Sequence, residues 1–190
     1  MSKIVAPIYQ IKITLKRSKP PIWRRVLVSS EITLATLHLV IQEAMGWYNS
    51  HLHMFMIGRE QYSTPSPYKG VSLDELDAEN AQLVKLSKLN LAQGDKFTYE
   101  YDFGDSWEHT ILLEKILPFG SQQKTPVCIK GKRACPPEDV GGIWGYEDFL
   151  EAIKDPTHPE HKDYIGWASD DFDPEAFDLD AVNDALKRIK

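Results

Sequence analysis

Residues 99–109, YEYDFGDSWEH, place four aromatics, two aspartates, two glutamates and a histidine in eleven positions. Phe97, Tyr99, Tyr101 and Phe103 alternate with Thr98, Glu100 and Asp102, the period-two pattern of a strand with one buried face. Beyond the turn, Trp107, His109, Ile111 and Leu113 alternate with Glu108, Thr110 and Leu112. For both apolar sets to share a face, the connecting loop must hold an odd number of residues. Gly104, Asp105 and Ser106 supply three, with Gly104 free to take a positive φ. The expected hairpin sets Tyr101 opposite His109, leaves Asp102 on the outer face and puts Asp105 at the tip. A two-residue turn would bring Trp107 beside Asp102 and scatter the apolar residues over both faces.

Upstream, Tyr9, Ile11, Ile13 and Leu15 alternate with Gln10, Lys12, Thr14 and Lys16, and residues 22–28 form a second strand beyond Pro20 and Pro21, so the two should pair as a hairpin. Leu34, Leu37, Ile41, Ala44 and Met45 recur at helical spacing, with Thr33 as N-cap and Gly46 as the stop. His38 flanks that stripe as a packing histidine. Residues 51–57 read as a central strand with His51, His53, Phe55 and Ile57 on one face. Histidines at i and i+2 of a strand point the same way, as a metal site needs, but such a pair is common by chance and requires a third ligand, so hydrogen bonding to nearby groups is the favoured reading. Residues 63–72 are the clearest loop, and Leu83, Leu86, Leu89 and Leu91 suggest a short helical turn leading back to the hairpin at 97–113.

Downstream, residues 118–126 read as a loop. Residues 128–146 then carry Cys128, Cys135, Pro136, Pro137, Glu138, Asp139 and glycines at 141, 142 and 145, a combination that demands one particular backbone path. Cysteines seven positions apart do not have zinc-finger spacing, so Cys128 and Cys135 hold a metal only with help from elsewhere, such as His51, His53 or His109. The C-terminal third is helical: 146–153, 158–167, and a helix capped by Asp178 with Leu179, Val182, Leu186 and Ile189 on one face and Lys187, Arg188 and Lys190 at its end. The expected layout is an α+β sheet core over 1–117, with a loop and helices over 118–190 packed on the same single domain.

At 190 residues, 42% apolar and 26% charged, the chain has ordinary globular composition and length enough for a substantial core. No long apolar run or charged leader suggests a membrane span or secretory signal, and two cysteines are too few for a disulfide framework, so the expected location is the cytoplasm. The net charge of −6 divides unevenly, with residues 1–60 at +5 and the rest at −11. The basic set is Lys3, Lys12, Lys16, Arg17, Lys19, Arg24, Arg25 and Arg59. It reads either as the solvated outer faces of two strands or as a phosphate-contacting patch centred on Lys16, Arg24 and Arg25.

Pro21 to Arg25, Leu37-His38, Gly46-Trp47, His51 to His53, the 99–109 stretch, and Cys135 to Gly142 with Gly145-Tyr146 together resemble the Ri-plasmid ORF-three-like family, also described as TnpR-like transposon passenger proteins. The resemblance spans nearly the whole chain. It implies an α+β fold, a mixed, mostly antiparallel sheet with a packed helix similar to a β-grasp or α/β roll, and a link with DNA-associated biology through mobile elements. It supplies no catalytic residues to transfer. Some relatives carry a third cysteine where this chain has Val140, which weakens a metal site built on cysteines here.

Three functional readings follow. The chain has no P-loop, no Gly-x-Ser-x-Gly and no His-Glu-x-x-His, which favours a non-catalytic accessory or interaction module with a protein partner. A metal-dependent hydrolase or nuclease instead draws its catalytic groups from Asp102, Asp105, His109, Glu138 and Asp139, and its metal ligands from His51, His53, His109, Cys128 and Cys135, with a divalent metal as cofactor. A nucleic-acid-binding protein uses the basic amino-terminal hairpin, against the overall acidity.

Overall fold

The computed structural model describes residues 6–65, 70–118, 124–168 and 172–189. Lys3, Lys190 and parts of the 63–72 and 118–126 loops lie outside these. Strands β1 (Ile8–Leu15) and β2 (Trp23–Ser29) pair antiparallel, Ile11 facing Val26. Helix α1 (Leu34–Met45) follows. Thr33 accepts a hydrogen bond from the Thr36 amide at 3.1 Å at its start, and Gly46, at φ 97°, donates back to the Gln42 carbonyl at its end. Then come β3 (His53–Ile57), β4 (Glu60–Ser63), β5 (Glu79–Asn80), a 3₁₀ turn (Leu86–Lys88), β6 (Lys96–Tyr101), β7 (Trp107–Leu117) and β8 (Val127–Lys132). Helices α2 (Gly142–Lys154), α3 (His161–Trp167) and α4 (Leu179–Leu186) complete the chain.

The eight strands among the described residues form one sheet in the order β5-β4-β3-β6-β7-β1-β2-β8, antiparallel throughout except for the short β4–β5 pair. The fold is therefore α+β, with a mostly antiparallel mixed sheet. The apolar stripe of α1 (Leu34, Leu37, Val40, Ile41 and Ala44) is fully buried in one cluster with Ile11, Ile13, Phe55, Tyr99, Trp107 and Ile111 from the sheet. Burial of such side chains contributes about 1.5–3 kcal/mol each before conformational entropy is set against it. No described helix is long and apolar enough to cross a membrane.

The β6–β7 hairpin keeps the expected parity with a longer turn. Five residues, 102–106, form it, so Tyr101 faces Trp107 and Tyr99 faces His109. Five is odd like three, so Tyr99, Tyr101, Trp107, His109 and Ile111 still share the buried face, while Phe103 sits in the turn and is exposed. Asp102 ends the ladder early because it adopts a left-handed conformation (φ 58°) that Asp tolerates. Its amide donates to the Leu52 carbonyl at 2.8 Å, and its Oδ1 accepts from the Gly104 amide at 2.9 Å. Asp102 is thus buried rather than on the outer face.

Other boundaries shift as well. β3 begins at His53, so His51 precedes the strand; α2 starts at Gly142 rather than 146, and α3 at His161 rather than 158. β4, β5 and β8 lack a clear alternating pattern and form because partners are waiting. β8 adds to β2 with a register shift after Arg25, placing it at one sheet edge.

Candidate metal centre

Three backbone segments converge beside the end of β6: the loop after α1 (46–52), the β6–β7 turn, and the segment from β8 into α2 (133–141). Tyr101 ties them together. Its hydroxyl accepts from the amides of Ser50 (2.9 Å) and His51 (3.3 Å) and donates to the Glu138 carboxylate (3.0 Å to Oε1). Burial first, and the adjacent Glu138 second, raise the Tyr101 pKa far above that of an ordinary phenol, so it remains a donor. The Tyr48 amide reaches the same Glu138 oxygen at 2.6 Å, and Trp47 Nε1 donates to the Pro136 carbonyl at 3.1 Å.

Behind this latch, His38 bridges the Tyr99 hydroxyl and Asn49 Oδ1, each at 2.8 Å, and Gln42 contacts both the Tyr99 hydroxyl and the Asn49 amide. The loop bearing His51 is therefore held from both sides. On the third segment, Asp139, Gly141 and Gly142 all have positive φ. The Gly141 amide donates to Asp105 Oδ2 at 3.1 Å, and at Gly142 a side chain would overlap the Asp105 carbonyl. The Asp-Phe-Gly-Asp and Cys-Pro-Pro-Glu-Asp motifs are packed on one another.

This packing encloses one imidazole in carboxylates. His51 Nε2 lies 3.0 Å from Asp139 Oδ1 and 3.3 Å from Glu138 Oε2, and Nδ1 lies 3.6 Å from Asp102 Oδ2. Despite those short distances Nε2 makes no hydrogen bond, because neither oxygen is aligned with the ring N–H direction. Ligands bound about 2.1 Å from a shared ion stand about 3.0–3.4 Å apart, which is this spacing. Among the described residues, His51, Asp102 and Asp139 are the one set of three His, Cys, Asp or Glu side chains whose ligand atoms all lie within 4.8 Å of each other. Three carboxylates around a single histidine leave a local negative excess that a cation would offset. Asp102 and Glu138 are largely shielded while Asp139 is mostly exposed, so one side of the cluster opens to solvent. There it borders a cavity of about 520 Å³ that includes Tyr48, Cys135, Pro136 and Trp167.

The remaining candidates lie elsewhere. His53 stacks on His38 with ring centroids 3.5 Å apart and planes 6° from parallel, turned away from His51. His109 is fully buried, edge-on to Trp47. Asp105 is occupied at the α2 entry. Cys128 and Cys135 are free thiols whose pKa values burial raises, Cys128 at the β8 edge and Cys135 at the cavity wall. Arg24 is buried, donating to the carbonyls of Ala44, Trp23 and Lys132, with its guanidinium 4.5 Å from the Phe177 ring centre. Arg25 forms a two-pronged pair with Glu114, and Lys16 and Arg17 both lie against Glu108. The part played by the Tyr101 hydroxyl was not foreseen from sequence, since its alternation reads only as core.

A family model described as plasmid pRiA4b ORF-3-like protein matches residues 7–181. The chain belongs to this family. It is similar to the uncharacterized protein y4hQ of Sinorhizobium fredii strain NGR234, with 39% identity over 184 residues, covering 96% of this chain and 92% of that protein. It is also similar to the crystal structure of MM3350, a protein of unknown function from Methanosarcina mazei Go1. There the identity is 38% and the TM-score 0.81, over 92% of this chain and 96% of the other. The pRiA4b ORF-3-like assignment thus covers both motifs that build the cluster.

Proposed function

We propose that the protein binds one divalent cation through His51 together with carboxylates drawn from Asp102, Glu138 and Asp139, and that this centre carries its function as a metal-dependent hydrolase. The supporting observation is His51 Nε2, set 3.0 Å and 3.3 Å from two carboxylates and hydrogen-bonded to neither. One imidazole with several carboxylates suits Mn²⁺ or Zn²⁺. Three protein ligands and an open side facing a cavity match catalytic rather than structural metal sites. A cation there would lower the pKa of a bound water toward neutrality and polarise a substrate carbonyl or phosphoryl oxygen. The test is the metal content of untagged protein by elemental mass spectrometry, before and after chelation, with His51→Ala alongside. Near-stoichiometric manganese or zinc, absent from the variant, supports the reading; metal-free folded protein after growth in metal-replete medium contradicts it.

A non-catalytic accessory module of mobile genetic elements, acting in the cytoplasm, is the second reading. It is favoured by the Glu138 carboxylate, which accepts from both Tyr48 and Tyr101 and so serves as a structural latch. Screening Mn²⁺-loaded protein against activated phosphodiesters, esters and peptides separates the two. Turnover abolished by Asp139→Asn supports the hydrolase, and its absence across all three classes supports the accessory role.

A further inference from the structure

The cavity beside His51 does not end there. A second one, of about 360 Å³, adjoins it and shares Asp139 and Trp167 in its wall. Glu138 and Asp139 line the first, Asp139, Glu160 and Asp163 the second, and among the described residues no lysine or arginine lines either. A divalent ion at His51 would offset only two of the charges on Asp102, Glu138 and Asp139, so the paired cleft stays anionic with the metal bound. Trp167, about half exposed at 48%, lines both cavities, and Tyr48, in the wall of the first, is 82% exposed. Exposed aromatics in a cleft lined by carboxylates, with no described protein cation in its wall, are complementary to organic ammonium groups on apolar stems. Carboxylates in both cavities favour a ligand with more than one cation.

From these features we infer that the double cleft binds a linear polyamine, with its ammonium groups at the Glu138/Asp139 and Glu160/Asp163 carboxylates and its methylene chain across Trp167. The inference rests on the same site as the metal reading, since Asp139 belongs to both, but the two can fail separately.

The test is calorimetric titration of the full chain at physiological ionic strength with spermidine, with N-acetyl-lysinamide as a single-cation comparison, and with Mn²⁺ in a separate run. Trp167→Leu and Asp163→Asn are measured in parallel, after circular dichroism has established that they are folded. The expected result is saturable one-to-one spermidine binding that each variant weakens by about fivefold, with N-acetyl-lysinamide weaker than spermidine by roughly tenfold or more. Absence of saturable binding, equal affinity in both variants, or N-acetyl-lysinamide matching spermidine would overturn the proposal. Spermidine binding without Mn²⁺ binding would sink the metal reading alone, and the reverse would sink this one alone.

Discussion

Asp105, at the tip of the β6–β7 turn, and Gly142, the first residue of α2, touch backbone to backbone: the Asp105 carbonyl oxygen occupies the space a Gly142 side chain would need. This contact holds the turn carrying Asp102 against the segment carrying Glu138 and Asp139. Gly142 also has φ 69°, which an L side chain adopts only with strain.

Gly142→Ala therefore adds both a clash and a backbone penalty. The expected loss of stability is about 2–4 kcal/mol, measured by urea unfolding, and Mn²⁺ affinity should fall with it because the carboxylates separate. Gly166→Ala, on α3 with open space around it, is the control and should leave Mn²⁺ affinity unchanged.

His109 predicts an acid-labile core. Burial, the main cause, pushes its pKa down to about 3; the Tyr99 and Trp107 main chain lies close enough to oppose the shift, but neither ring nitrogen has an aligned hydrogen-bond partner. In the unfolded chain the same group titrates near 6.5. The unfolded state thus binds the extra proton between these values, and the stability that neutral His109 gives is complete above about 6.5 and lost as pH falls toward 3. The slope reaches about 1.4 kcal/mol per pH unit, and urea unfolding of His109→Leu between pH 7 and 4 should show it reduced by about one proton. Identical slopes in wild type and variant would contradict this.

How much of this was legible beforehand varied with the range of the interaction. Helix α1 was readable from Thr33 to Gly46 because cap and stripe are local signals. The hairpin faces were readable because parity survives a change from three to five turn residues, whereas the turn's length was not, since it depends on Asp102 bonding to Leu52 in another segment. β8 was missed because residues 127–132 run three apolar side chains together and then Lys-Gly-Lys, with no alternation, and the pairing is supplied by β2 on one side and Asn183 on the other. Of the site, the residue types were singled out in advance, and their partners were not. His51 was paired by spacing with His53, while the fold turns His53 onto His38 and delivers His51 to Asp102, Glu138 and Asp139.

Asn183 deserves its own test as an edge guard. Its side chain accepts from the Cys128 amide at 2.8 Å and donates to the Cys128 carbonyl at 3.0 Å, occupying the β8 edge as a neighbouring strand would. Asn183→Ala should cost about 1–3 kcal/mol and increase self-association in light scattering. An unchanged melting curve and an unchanged particle size would rule out that role.

The centre at His51 is tested most directly by Mn²⁺ titration followed by electron paramagnetic resonance, in which bound ion leaves the free six-line signal. The expected result is one Mn²⁺ taken up per wild-type chain, with affinity reduced at least about tenfold in His51→Ala and in Asp139→Asn while both variants remain folded. A wild-type chain that leaves the free signal unchanged, or variants that bind as tightly as wild type, would contradict a metal centre built on His51.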